Sequence, residues 1–196
     1  MIRDNARMPK ESVPLPLSAL ILAGGAGRRM GGLDKGWQRH RGQPLIAHAL
    51  ATVQDRAQEV FISANRSLDA YGRLGYPVLV DAEPGFAGPL QGIRAGFAAM
   101  QTDWLACIPV DCPDLPRDLL DRLWRSRGTE PLVVAGDAHG ITPVVALMHR
   151  SLSDSLATYL ETGDASVRGW MRKIPQRLLP LDAAALRNIN RPEDLE

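Results

Sequence analysis

Ser18-Ala19-Leu20-Ile21-Leu22-Ala23-Gly24-Gly25-Ala26-Gly27-Arg28-Arg29-Met30-Gly31-Gly32-Leu33-Asp34-Lys35 is the stretch from which the rest of the chain is read. Its first five residues form a continuous apolar run without polar alternation, the pattern of a parallel strand covered on both faces. Gly24-Gly25 ends that run and opens a segment rich in glycine and arginine. Downstream, Pro44 is placed to start a helix whose apolar residues, Leu45, Ile46, Ala49, Leu50 and Val53, recur at helical spacing.

The same alternation continues along the chain. Val60–Ser63, Pro77–Val80 and Trp104–Ile108 read as strands, and Gly88–Met100 and Asp118–Arg125 as helices. Pro131–Ala135 and Val144–Leu147 read as two further strands around a Gly136–Gly140 turn, followed by a helix over Ser151–Leu160. Strands alternating with helices predict an α/β fold: a single-domain, three-layer α/β/α sandwich around a mostly parallel, Rossmann-like sheet. Such sheets bind ligands beyond the carboxyl ends of their strands. Four of these strands run out into polar or glycine-rich segments there, after Leu22, at Asn65, at Asp81 and at Asp111.

With 196 residues the chain suits one compact domain. Residues 1–17 read as a flexible extension with no apolar signal core, and residues 18–196 as the domain. Net charge is +1 and apolar residues make up 45%. No global field therefore recruits nucleic acid or an anionic membrane, and an anionic ligand has to be held by local charge. No apolar run approaches the roughly 18 residues of a membrane span. Two cysteines, Cys107 and Cys112, are too few for a disulfide framework and fit a reducing cytoplasm.

The loop after Leu22 has the means to hold a triphosphate. Glycines let backbone N–H groups approach phosphate closely and form an anion-binding concavity, while Arg28, Arg29 and Lys35 supply positive charge. Two familiar phosphate loops do not fit. The P-loop sets a lysine directly after its last glycine, where Leu33 follows Gly32; the dinucleotide fingerprint would need glycine at Met30.

The run Leu-Ala-Gly-Gly-x-x-x-Arg-Met-Gly-Gly-x-Asp-Lys over residues 22–35 resembles the signature of the molybdenum cofactor guanylyltransferases, the MobA family. Other segments fit in the same order: Ala64-Asn65-Arg66, Asp81, Gly88-Pro89-Leu90-Gln91-Gly92, Pro109-Val110-Asp111-Cys112-Pro113, and Asn188-Ile189-Asn190-Arg191-Pro192-Glu193-Asp194-Leu195. The resemblance spans Ser18 to Leu195. It implies the nucleotidyltransferase version of the fold and a magnesium-dependent enzyme that transfers GMP from GTP to the terminal phosphate of molybdopterin cofactor. It further implies transient contact with molybdenum insertion proteins and acceptor molybdoenzymes. The chain departs from the family at Thr142, where a histidine usually precedes the proline that Pro143 matches, and at Trp37, where a smaller residue is usual. His139 is the nearest histidine before Pro143.

The resemblance places nucleotide contacts at Leu22, Ala23, Gly24, Gly25, Lys35, Asn65, Asp81 and Asp111, with Arg28 a further cation toward the phosphates. Attack of a phosphate monoester on the α-phosphorus of GTP needs no protein nucleophile, so positioning and charge neutralisation carry the reaction. Asp111, between Pro109 and Pro113 at a strand's end, is the expected magnesium ligand, with Asp114 as a turn residue; magnesium commonly takes one or two carboxylates plus substrate phosphates. Asn65 and Asp81 offer hydrogen-bonding groups suited to guanine or ribose. Asn188 and Asn190 are expected near the pterin, although Asn190 followed by Glu193 also reads as a helix capping box. A cytidylyltransferase for the same cofactor, another transferase of this fold and an inactive nucleotide-binding protein are the alternatives. The Gly24-Gly25 pair favours guanine, and the presence of both Lys35 and Asp111 favours catalysis.

Overall fold

The structure, a computed structural model, describes residues 13–24, 34–81, 88–190 and 192–195. Its strands are β1 (Leu15–Leu22), β2 (Arg39–His40), β3 (Gln43–Pro44), β4 (Ala57–Ser63), β5 (Val78–Leu79), β6 (Trp104–Pro109), β7 (Leu132–Asp137), β8 (Gly140–His149) and β9 (Gln176–Pro180). Its helices are α1 (Leu45–Val53), α2 (Leu68–Gly72), α3 (Pro89–Ala99), α4 (Leu119–Arg125), α5 (Ser153–Glu161) and α6 (Val167–Met171). Seven strands form one sheet in the order β5-β4-β1-β6-β8-β7-β9. The pairs β1–β4, β1–β6, β4–β5 and β7–β9 are parallel. Only β8 runs against its neighbours β6 and β7. The expected α/β architecture with a mostly parallel sheet is the one observed.

The period-two geometry of β1 divides the core into two layers. Leu17, Ala19 and Ile21 face a cluster with Leu45, Ile46, Leu50 and Val53 of α1 and Leu119, Leu120 and Leu123 of α4. Leu20 and Leu22 face the opposite cluster, with Leu90, Ile93 and Phe97 of α3, Leu156 of α5, and Trp170 and Met171 of α6. A fully buried leucine or isoleucine contributes about 1.5–3 kcal/mol, so this alternation fixes the strand's register firmly. At the amino-terminal edge, Ser18 is buried and its hydroxyl donates to Glu59 Oε2 at 2.5 Å and meets Thr102 Oγ1 at 2.8 Å.

β1 opens at Leu15, three residues before the domain start expected at Ser18. The Leu15 N–H donates to Arg56 O at 2.7 Å and Leu17 is wholly buried, so residues 15–17 belong to the strand, and Leu17 to the core, and not to an extension. Of the rest of the expected extension, residues 1–12 lie outside the described residues and Val13 and Pro14 are exposed without regular structure. The short pieces β2, β3, α2, α6 and β9 lack a periodic signal long enough to be read in sequence. The Arg41–Gly42 corner of the β2–β3 hairpin has positive φ at both residues, 49° and 77°, the backbone of a tight primed-type turn. No helix among the described residues is long and apolar enough to cross a membrane.

Candidate functional site

β1, β4 and β6 end side by side, and their ends are stitched together. The Val110 N–H donates to Leu22 O at 3.0 Å, the Ala23 N–H to Ser63 O at 2.9 Å and the Ala64 N–H to Leu79 O at 3.0 Å. This continues the sheet's hydrogen bonding beyond the strands and sets Leu22, Ala23, Gly24, Asn65, Asp81 and Asp111 along its carboxyl edge. A Cβ added to Gly24 would lie 3.5 Å from Asn65 Nδ2 and 3.7 Å from Ser63 O. Gly24 is exposed, so its backbone is open to an incoming ligand. Gly25 and Arg28 fall outside the described residues.

The Gly88-Pro89-Leu90-Gln91-Gly92 segment serves this edge by docking α3 on it. Gly88 caps the helix with φ 88°, a conformation favouring glycine, and Pro89 fills the first turn. A side chain at Gly92 would press on Ser63 Oγ at 2.5 Å and on Leu22 Cδ2 at 2.9 Å. The absence of that side chain lets the helix touch the ends of β1 and β4.

One half of the site is a triad of side chains distant in sequence. Lys35 Nζ donates to Asp111 Oδ2 at 2.7 Å and to Asn190 Oδ1 at 3.1 Å. The lysine and aspartate side chains are each 20% exposed. The pair is thus sheltered enough to be directional yet open to a ligand. Asp114 does not compete for this place: its Oδ1 accepts from Arg41 Nη1 at 2.7 Å, which fastens the β2–β3 hairpin to the loop.

The other half is the pair Asn65 and Asp81. Asn65 Nδ2 donates to Asp81 Oδ2 at 2.7 Å and the Asp81 N–H donates to Asn65 Oδ1 at 2.9 Å. The reciprocal bonds fix both side chains and hold the carboxylate ready to accept hydrogen bonds at its second oxygen.

The carboxy-terminal segment closes the triad's side. The Ile189 N–H donates to Asp111 O at 2.8 Å and Ile189 is wholly buried. Cys112 Sγ donates to Asn188 Oδ1 at 2.8 Å. Burial, then the charge of Asp111, pushes the Cys112 thiol well above its ordinary range, so it stays protonated and remains a donor to Asn188. The capping box expected between Asn190 and Glu193 is not formed. Asn190 N–H donates to Asp194 Oδ2 at 2.9 Å instead, and the Asn190 side chain is committed to Lys35. His139 is exposed in the turn between β7 and β8, where its N–H donates to Asp137 Oδ1 at 2.8 Å, and no hydrogen bond links it to the triad.

Two features of this region were not read from sequence. One is the Cys112–Asn188 bond, for which the sequence gives no signal across 76 residues. The other is Tyr71, whose hydroxyl donates to Asp34 Oδ1 at 2.7 Å. Gly36, directly after Lys35, was the available clue: a Cβ there would overlap the Tyr71 hydroxyl.

The residues present suit a magnesium ion. Asp111 supplies one carboxylate at the edge where the strand ends converge, and among the described residues its Oδ1 carries only a long 3.9 Å contact from Cys112 Sγ. Among the described residues no group of three or more histidine, cysteine, aspartate or glutamate side chains is assembled for a metal. A lone strand-end carboxylate is a ligand that a hard cation could take alongside phosphate and water.

Residues 19–178 match the MobA-like NTP transferase domain. The chain is 42% identical over 186 residues to a molybdenum cofactor guanylyltransferase of Ralstonia nicotianae, covering 89% of this chain and 91% of the relative. It is also 42% identical over 187 residues to a molybdenum cofactor guanylyltransferase of Cupriavidus metallidurans, with 91% and 92% covered. Among solved structures, the fold is similar to that of molybdopterin-guanine dinucleotide biosynthesis protein A from Archaeoglobus fulgidus. The TM-score is 0.76 at 19% identity, with 90% of this chain and 94% of the other covered.

Proposed function

The chain belongs to the MobA-like NTP transferase family, and we propose that it is a cytoplasmic guanylyltransferase that transfers GMP from GTP to the terminal phosphate of molybdopterin cofactor. An oxygen of that phosphate attacks the α-phosphorus of GTP. The bond between the α-phosphorus and its bridging oxygen breaks, and pyrophosphate leaves. The observation that carries this reading is the Lys35–Asp111–Asn190 triad just beyond the end of β6, on the same sheet edge as the exposed Gly24.

The residues divide the work by position. Leu22, Ala23, Gly24 and Gly25 present backbone to the nucleotide, and Asn65 and Asp81 accept and donate to guanine or ribose. Lys35, with Arg28 as a second cation, lies against the phosphates and offsets charge that grows on the leaving pyrophosphate. Asp111 would hold magnesium, which would supply Lewis-acid chemistry toward the phosphates. Asn188 and Asn190 border the pterin. Delivery of the product implies transient contact with molybdenum insertion proteins and acceptor molybdoenzymes.

The test is pyrophosphate release with magnesium, molybdopterin cofactor and each of the four nucleoside triphosphates in turn. Release with GTP alone is expected. Equal release with CTP would overturn the choice of base, and no release with any triphosphate would overturn the activity.

A further inference from the structure

Lys35 is the first residue of a three-residue 3-10 turn, Lys35–Trp37, too short to set the direction of its own side chain by helix packing. Asp34 braces the backbone of the turn that carries Lys35. In an extended conformation at the turn's amino end, Asp34 accepts the Gly36 N–H on Oδ1 at 3.1 Å. The same oxygen accepts the Tyr71 hydroxyl at 2.7 Å. The second oxygen, Oδ2, is buried and has no hydrogen-bond partner among the described residues. A buried carboxylate depends strongly on the few donors it has, so Tyr71 carries a large share of what keeps Asp34 in place.

Tyr71 is built to do this. It is wholly buried, and its ring packs against Trp37 with centroids 5.2 Å apart. The turn is shaped around its hydroxyl, since any side chain at Gly36 would overlap that oxygen. Burial and the bond to Asp34 push the phenol's ionisation far upward, so the hydroxyl remains a donor throughout the working range. Tyr71 also sits on α2, close after Asn65 in sequence. One short segment, Asn65 to Tyr71, therefore joins the residue facing the base to the residue facing the lysine turn.

We propose that Tyr71 is a positioning residue whose hydroxyl, acting through Asp34, aims the Lys35 ammonium at the nucleotide's phosphates. The inference rests on the reading of Lys35 as a phosphate contact.

The test is a mutant cycle on pyrophosphate release from GTP, with thermal unfolding followed alongside. Tyr71→Phe keeps the ring and removes only the donor, and should lower kcat about tenfold, the worth of a hydrogen bond to a charged group. Lys35→Ala should lower it further, and Tyr71→Phe/Lys35→Ala should be no slower than Lys35→Ala alone. A double variant slowed by the same factor again would show that Tyr71 acts by another route, overturning the proposal while leaving Lys35 in its role. Normal turnover of Tyr71→Phe overturns it as well. Normal turnover of Lys35→Ala would instead overturn the reading of Lys35 and this inference with it. Asp34→Ala, which leaves Tyr71 in place, should reproduce the Tyr71→Phe defect and add nothing to it; additive effects of these two would overturn the proposal even if one variant is less stable.

Discussion

Lys35 Nζ and Asp111 Oδ2 are 2.7 Å apart, so each charge masks the other. A cation arriving at Asp111 and a phosphate arriving at Lys35 have to separate the pair, and each offers one partner a replacement. This predicts that magnesium and GTP bind cooperatively, each raising the affinity for the other by the same factor. Calorimetric titration of GTP at several magnesium concentrations checks it; GTP affinity independent of magnesium would contradict it.

Asp111→Asn should retain the fold, because the Asp111 backbone O still accepts from Ile189. It should need far more magnesium and turn over much more slowly, since a neutral amide oxygen is a weaker ligand. Asp114→Asn is the control: its carboxylate is engaged by Arg41 and faces that residue. A magnesium titration of pyrophosphate release for both variants decides the matter. Cys112→Ala should not change the magnesium requirement, but it removes the donor to Asn188 and should raise KM for molybdopterin cofactor.

Lys35→Ala should lower kcat/KM for GTP by the equivalent of roughly 1.5–3 kcal/mol, as for a lost hydrogen bond to a charged group. Its effect on stability should be smaller, because solvent reaching the pair through its exposed fraction partly screens it. Steady-state kinetics set beside urea unfolding separate the two quantities.

Gly24→Val should abolish GTP binding while circular dichroism stays unchanged. Gly24 is exposed, and a Cβ there makes only ordinary contact, 3.5 Å from Asn65 Nδ2. The protein tolerates the added side chain, whereas a phosphate seeking the backbone does not. Loss of secondary structure would show that the glycine serves the fold instead.

Alkaline pH should destabilise the protein steeply. Burial raises the thiols of Cys107 and Cys112 above their ordinary ionisation range. Their contribution to stability is complete below the unfolded-state value of about 8.5 and declines as pH rises above it, because only the unfolded chain then releases the protons. The expected loss is about 1.4 kcal/mol per pH unit for each thiol. Urea melts from pH 8 to 10 measure it, and Cys107→Ala/Cys112→Ala should flatten the slope even while lowering stability overall.

The long elements were legible because periodicity reports burial. The carboxyl end of β1, the Leu45–Val53 helix and the strand Trp104–Pro109 stand where the sequence puts them. The start of β1 was misjudged because Pro14 and Pro16 read as extension, although Leu17 lies in the core. α2 and β9, each five residues long, give too little pattern to register. At the site, residue types and motif order pointed to Lys35, Asp111, Asn65 and Asp81, but not to who holds whom. That Asn190 turns to Lys35 rather than capping its own helix depends on a contact across 155 residues, which no local pattern can announce.

That separation gives the site a place in time. Lys35 and Asn190 meet only after the intervening chain has closed, and loop closure over such a distance costs entropy before the contact rewards it. A partly folded chain with β1, α1 and β4 in place would hold Gly24 and Asn65 but not the finished triad. Nucleotide capture should therefore lag the recovery of helical signal in stopped-flow refolding with a fluorescent GTP analogue. A chain still completing its fold would then leave the cell's guanine nucleotides alone.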